Sequence, residues 1–392
     1  MREVVIASAV RTGIGSFQGA LAPLSGPELG AIAVREAVLR AGIAPEQVDE
    51  VLLGNVYQAG ERQAPARQAA LKAGLPVGVP CTTINKVCAS GLKAVQLGVH
   101  AIQAGDADVV VAGGFESMSN VPYYVLGARR GYRLGHAQLV DGLLHDGLED
   151  AYEGCHMGNA AELCARTLGI SRQEQDAYAV RSYERALRAH REGWFEEELV
   201  TVEVPQPRGE PLRFREDEEL RRVNFDKIPQ LKPAFEENGT VTAANASKIN
   251  DGAAALVLMS AEKARALGLN PMARVVAQAD AEREPLWFTL APVDAISKVL
   301  RKAGWTVSDV DLFEINEAFA VVAIADSRQL GISSEKLNVH GGAVALGHPV
   351  GCSGARILVT LLHALRIHGG RRGVAGICNG GGGASALAVE LL

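Results

Sequence analysis

The chain has 392 residues, 48% of them hydrophobic and 21% charged, with 43 glycines, a soluble globular composition with room for two or three domains. A formal net charge of −6 and an isoelectric point near 5.9 leave no broad basic face, which argues against nucleic acid as a partner. No apolar run approaches the roughly 20 residues of a membrane span, and six cysteines without C-x-x-C pairs or a His-x-x-x-His partner argue against a disulfide framework and a metal site. The expectation is a cytoplasmic protein with reduced thiols and no membrane contact.

In chain order, residues 1–10 read as a strand rather than a signal peptide. Asn85-Lys-Val-Cys88-Ala-Ser-Gly91 then precedes an apolar helical stretch over 92–104, so Cys88 falls where a strand or loop hands over to a helix. Unpaired amides and the helix dipole at that place favour a thiolate. The continuous apolar run 109–112 predicts a strand covered on both faces by helices. From Ser117 to about Asn245 the texture turns polar, with Glu196-Glu-Glu198 and the mixed run 216–222. Helical periodicity survives over 161–168 and 171–191, the second with Ser171 as N-cap and Glu174 three residues on. An inserted domain is the natural reading.

Further on come Asn316-Glu-Ala-Phe319, the uninterrupted string from Asn338 through Gly347-His348-Pro349 to Gly354, a helical stretch over 357–367, and Cys378-Asn-Gly-Gly-Gly-Gly383 before a last strand over 387–391. Laying Ser90-Gly91 on Ser353-Gly354 puts Val111-Ala112-Gly113 on Val374-Ala375-Gly376 without a gap. Each half then carries an apolar helix, a glycine turn and a buried-type strand, which predicts an internal duplication of an α/β unit. Matched small residues in a chain so rich in Gly and Ala also arise by chance.

By residue type alone the chemistry stays open. A single cysteine is more often a small buried hydrophobe than a nucleophile. Asn316 reads equally as a turn or cap residue, the glycine run as a tight loop, and Met157 and Phe235 as ordinary core. Together, though, a helix-start thiol, an imidazole wedged between Gly347 and Pro349, and bare backbone amides near Cys378 supply a nucleophile, a base and oxyanion donors.

These strings resemble the signature segments of the thiolase family, and the likeness runs over essentially the whole chain. The resemblance implies duplicated α/β halves forming a five-layer α-β-α-β-α core with an inserted loop domain. It divides the chain into a first half at 1–117 plus 250–268, a loop domain at 118–249 that binds coenzyme A, and a second half at 269–392. Residues 250–260 would return to the first half as a strand, and the protein would be a dimer or homotetramer. It further implies Cys88 as the nucleophile that becomes acetylated, His348 as acceptor of its proton, and Cys378 as the acid/base at the α carbon. Asn316 would hold a water beside His348, and the N–H groups of Cys88 and Gly380 would face the acyl oxygen.

Leu148, His156, Met157, Ala234, Phe235, Ala243, Ser247, Ala318 and Phe319 match positions that line the coenzyme A arm in short-chain thiolases, with Arg221 or Arg222 the basic residue expected at the phosphates. Lys227 and Lys248 are also near in sequence. No cofactor beyond coenzyme A itself is implied. Cys155-His156-Met157-Gly158 and the string from Glu237 to Ser247 are most similar to acetoacetyl-CoA thiolases, the acetyl-CoA C-acetyltransferases, whose substrates are acetyl-CoA, acetoacetyl-CoA and CoA. A degradative 3-ketoacyl-CoA thiolase of β-oxidation uses the same residues and stays open at this point. Cys378 disfavours a decarboxylating ketosynthase, which pairs its cysteine with two histidines or with His and Asn. A binding protein with lapsed chemistry is disfavoured because every catalytic element is present.

Overall fold

β1 (Val4–Thr12) and β5 (Asn250–Ser260) are buried along nearly their whole length, because helices cover the sheet on both faces. In the computed structural model, which describes residues 2–392, they sit at the middle of one continuous sheet; of the strand expected from residue 1, Met1 lies outside the described residues. The other principal strands are β2 (Glu50–Gly54), β3 (Cys81–Ile84), β4 (Val109–Ser117), β6 (Ala273–Glu282), β7 (Leu312–Ile315), β8 (Arg372–Asn379) and β9 (Gly383–Leu391). Their order is β7-β8-β9-β6-β1-β5-β4-β2-β3. Among the described residues, the two half-sheets are joined where Val5 and Ile6 of β1 meet Arg274 and Ala273 of β6.

The halves repeat one pairing scheme. β2 pairs parallel with β4, β4 antiparallel with β5 and β5 antiparallel with β1, as β7 does with β8, β8 with β9 and β9 with β6. The duplication read from small residues is therefore topological. Helices α1 (Gly26–Ala41) and α2 (Pro65–Ala73) cover one outer face, α3 (Ser90–Ala104) and α9 (Val350–His368) fill the space between the half-sheets, and α6 (Ala291–Ala303) and α7 (Ala320–Leu330) cover the other. That makes five layers. By length and a mean hydropathy of 1.3, α9 could cross a membrane, contrary to the expectation that no run comes near, but 89% of that window is buried as the central helix of the core.

The polar middle of the chain carries α4 (Met157–Leu168) and α5 (Arg172–Arg191), the latter opened by the Ser171–Glu174 capping box. It is fastened to β1 by a buried ion cluster: Arg11 donates to Glu198 at 2.5 Å and to both oxygens of Asp217, at 2.7 and 3.0 Å. A short arm, with strands Tyr123–Tyr124 and Val140–Asp141 paired antiparallel, extends from the same region.

What brings distant strings together is the contact between α3 and α9. A Cβ on Gly354 would lie 2.5 Å from the backbone nitrogen of Leu92, and one on Gly91 would lie 2.8 Å from that of Ala355. Only glycine lets the two backbones touch. The segments leading into these helices, which carry Cys88 and His348, consequently lie side by side.

Candidate active site

Cys88 sits in the loop between β3 and α3, and Val87 before it takes a left-handed φ of 47°. The side chain of Asn85 accepts the Val87 N–H at 2.9 Å, and Ser90 Oγ accepts the Lys86 N–H at 2.8 Å, so the loop is pinned on both sides of the thiol. Cys88 is half-buried and lines a cavity of about 300 Å³. Its sulfur receives the N–H of Gly380 and its own N–H, yet burial dominates and pushes the thiol up to about 11. Desolvation thus acts against the helix-start amides that the sequence led one to expect would lower the thiol.

His348 follows the short helix α8 (Ala343–Leu346), on the far side of Gly347. Burial holds its imidazole down to about 3, with the charge of Arg356 acting in the same direction. Nδ1 lies 2.6 Å from Ser353 Oγ, and that hydroxyl gives its proton to the Pro349 carbonyl at 2.9 Å. The hydrogen-bond network therefore assigns the proton to Nδ1. Nε2 keeps a bare lone pair, is buried, and has no protein partner. A base with its tautomer fixed and its free nitrogen in the same cavity as the thiol is the result.

Cys378 closes β8 just before the glycine run and is buried, which raises its thiol well above the ordinary range; a charge on nearby Cys88 would raise it further. Asn316, at the end of β7, is fully buried, and neither atom of its side-chain amide meets a protein partner. Glu317 beside it accepts from Tyr178 (2.8 Å), Ser182 (2.8 Å), Asn338 (2.9 Å) and the Val344 N–H (3.0 Å), tying α5 to α8.

The rest of the cavity wall is largely apolar. Leu148, His156, Met157, Phe235, Ser247, Ala318 and Phe319 all line it, as the sequence led one to expect. Phe235 stacks on His156 with ring centroids 4.6 Å apart and meets Phe319 edge-on at 6.0 Å. Gly158 is required there, since a Cβ would fall 2.3 Å from the Phe235 ring. The Ser247 segment is held as an extra strand on the Asn316–Phe319 string: the Ser247 N–H donates to Ala318 O at 3.0 Å and the Ala320 N–H to Asn245 O at 2.8 Å.

Three expected contacts fall elsewhere. Arg221 is turned outward into an ion pair with Glu216 and lines no part of the cavity. Ala234 shapes the loop instead, its N–H donating to Val241 O at 2.9 Å, while Ala243 lines an adjoining hollow with Arg222, Lys227 and Lys248. Lys248, near enough in sequence to reach a phosphate, borders both the hollow and the cavity, but its ammonium donates to the main-chain carbonyls of Ala246 and Val344.

Residues not anticipated include Met118, Ile249, Phe288 and Val350 in the wall, none of which carries a chemical signal in sequence. Glu116 was also missed. Its buried carboxyl accepts from Asn55 (2.8 Å) and from the N–H groups of Val56 (3.0 Å), Tyr57 (3.1 Å) and Gly351 (2.9 Å), so it ties the loop after β2 to the first turn of α9. Burial pushes that carboxyl up to about 8 against the pull of those amides.

Comparison with known proteins agrees with this geometry. Residues 4–262 match the model of the thiolase N-terminal domain and residues 269–391 that of the thiolase C-terminal domain. Acetyl-CoA acetyltransferase 2 of Arabidopsis thaliana is 55% identical over 100% of this chain and 98% of its own length, and acetyl-CoA acetyltransferase of Cupriavidus necator is 53% identical over 100% of both. The crystal structure of the Bacillus anthracis acetyl-CoA acetyltransferase superposes with a TM-score of 0.98 at 44% identity, covering 100% of this chain and 99% of that one. A thiolase from Ascaris suum, solved in complex with coenzyme A, superposes at 0.95 with 45% identity, covering 100% of both chains. With its two half-sheets, its paired helix-start loops and family matches over nearly its whole length, the chain belongs to the thiolase family.

Proposed function

We propose that the protein is an acetyl-CoA C-acetyltransferase, which reversibly joins two acetyl-CoA into acetoacetyl-CoA and CoA through an acetyl group on Cys88. The observation that carries this reading is one cavity in which the Cys88 thiol, the bare Nε2 side of His348 and the Gly380 amide meet, walled by Met157, Phe235 and Phe319.

The protonation states give the steps, written for cleavage. Cys88 sulfur attacks the 3-keto carbon of acetoacetyl-CoA while its proton passes to His348 Nε2. The tetrahedral oxyanion lies against the N–H groups of Cys88 and Gly380, donors of a kind whose loss costs about 10²–10³ in rate. The carbon–carbon bond then breaks, and the departing enolate takes the proton of Cys378, which burial keeps as a thiol. Incoming CoA gives its thiol proton to the Cys378 thiolate and attacks the acetyl carbon. The Cys88 sulfur leaves and recovers the proton from His348. All three groups return to their neutral resting forms, and condensation is the same sequence reversed. Two thiols and an imidazole carry the chemistry, with coenzyme A entering only as substrate and product.

Met157 and the aromatic wall support a short acyl group: the Met157 sulfur would lie 3.5 Å from a Cβ on Gly380, so the methionine reaches the reacting end. A homo-oligomer is the further part of the proposal. It is supported by the arm over 119–141, where Tyr123, Leu126, Leu134 and Leu139 are 61%, 52%, 100% and 71% exposed, a cluster of apolar side chains that a second copy would cover.

The test is CoA-dependent cleavage of acetoacetyl-CoA against a medium-chain 3-ketoacyl-CoA by the purified protein. Marked preference for acetoacetyl-CoA is expected. Equal or faster cleavage of the longer substrate would replace this reading with a β-oxidation thiolase.

A further inference from the structure

The base follows a four-residue helix that stops at Gly347, two residues before Pro349, and two side chains occupy the groups that would make its next hydrogen bond. In α8 the last helical bond runs from the Gly347 N–H to Ala343 O at 3.0 Å. The next would run from the His348 N–H to Val344 O and would draw His348 into the helix. Neither group is free to make it. The His348 N–H donates to Asn250 Oδ1 at 2.9 Å, and Val344 O accepts from Lys248 Nζ at 2.8 Å. Gly347 between them takes a φ of 110°, and a Cβ there would meet the Asn250 amide at 2.5 Å.

Both intruding side chains come from one stretch of chain, the one that carries Ser247 in the cavity wall. Asn250 is anchored by Nδ2 on Gly15 O at 3.0 Å and on Glu219 at 3.3 Å. The Lys248 ammonium also donates to Ala246 O at 2.8 Å and reaches Ala244 O at 3.5 Å, and it lies 5.2 Å from the centre of the Tyr183 ring. No salt bridge joins it to a carboxylate among the described residues, although the burial that disfavours the ammonium is opposed by the charges of Glu219 and Glu317, which favour it. Taking an ammonium out of water for carbonyls and an aromatic face is a costly arrangement unless it holds something in place.

We propose that Lys248 and Asn250 form a clamp that splits the Val344–His348 helical hydrogen bond, so that the coenzyme A-facing segment itself sets the position of the base. Both are positioning residues: Lys248 also lines the cavity, but its ammonium is engaged by main-chain carbonyls, and Asn250 holds the His348 backbone. The inference rests on the reading of His348 as the base. One consequence is that the segment carrying Ser247 and the loop carrying His348 move as a unit: a displacement of the coenzyme A arm is transmitted to the imidazole through two hydrogen bonds.

The test uses the full-length enzyme and two variants, Lys248→Met and Lys248→Ala. Two readouts are compared: kcat and KM for acetoacetyl-CoA cleavage, and the rate at which iodoacetamide alkylates Cys88 at neutral pH, followed by peptide mass spectrometry. Labelling by His348→Ala defines the rate without the base. Lys248→Met is expected to lose about tenfold in kcat, equivalent to about 1.4 kcal/mol, with a smaller change in KM and labelling slowed toward the His348→Ala rate. Its thermal midpoint should stay near that of the parent. Methylammonium or ammonium added to Lys248→Ala should restore part of both rates, because the carbonyl cage remains. Labelling and kcat within twofold of the parent would overturn the proposal, as would losses that track the thermal midpoint and resist amine rescue. Labelling is read without turnover, so a parent enzyme that fails to cleave acetoacetyl-CoA would refute the assigned reaction, while the labelling rates of the Lys248 variants would still decide for or against the clamp.

Discussion

Cys88 and His348 each resist charge for the same reason, loss of water, and their shifts run in opposite directions. With the thiol pushed up to about 11 and the imidazole held down to about 3, burial favours the neutral form of both groups, and in the proposed mechanism the thiolate forms only as substrate is attacked. In the His348→Ala variant, where no base assists, the alkylation rate of Cys88 should therefore climb about tenfold per pH unit toward pH 11, rather than level off near the 8.5 or so of a free thiol. A plateau near neutrality in that variant, read by peptide mass spectrometry, would show that the surrounding amides outweigh burial. Cys378 divides the chemistry in the other way. A Cys378→Ser variant should still acquire an acetyl group on Cys88 from acetyl-CoA but lose condensation by at least the about 10²–10⁴ expected for a removed acid/base. Near-normal turnover by that variant would remove Cys378 from the mechanism. The sequence pointed to both thiols and to the histidine. It did not show Ser353, whose bond to His348 forms only once the helix start after Pro349 is folded, or Glu116, whose partners are Asn55 and backbone N–H groups of segments distant in the chain.

Among elements, the contact between α3 and α9 does most to bring the site together, since each helix begins just past a proposed catalytic residue, Cys88 or His348. Their approach depends on Gly91 and Gly354, where a methyl group would meet backbone atoms that have nowhere to move. Gly354→Ala is expected to cost about 1–3 kcal/mol or more. The loss would appear as a lower urea midpoint with an unchanged slope, and as reduced cleavage by the protein that remains folded. An unchanged midpoint would mean that the helices can part without consequence. These two helices, the strands after them and the capped helix α5 were all legible from periodicity and small-residue spacing. The order in which strands pair was not, and nor was the short β1–β6 junction that makes one sheet of two, because pairing partners lie far apart in the chain.

At the scale of the whole molecule, the exposed apolar arm and the buried anchorage of the inserted segment give the surface its division of labour. If the arm is the contact between copies, Leu134→Asp combined with Leu139→Asp should lower the mass measured by light scattering while leaving the thermal midpoint nearly unchanged. An unaltered mass would place the contact elsewhere. Composition, period and motif spacing sufficed for the α/β class, the internal repeat and most of the cavity wall, and they singled out Cys88, His348 and Cys378 as candidates, since each of these is written in residues close together in the chain or in strings that carry their own chemistry. Only the tertiary structure decided that Arg221 faces outward, that Lys248 turns in to carbonyls, that burial raises the Cys88 thiol, and that the His348 N–H is taken by Asn250. Those outcomes depend on desolvation and on hydrogen bonds between segments distant in sequence, and neither exists until the chain has folded.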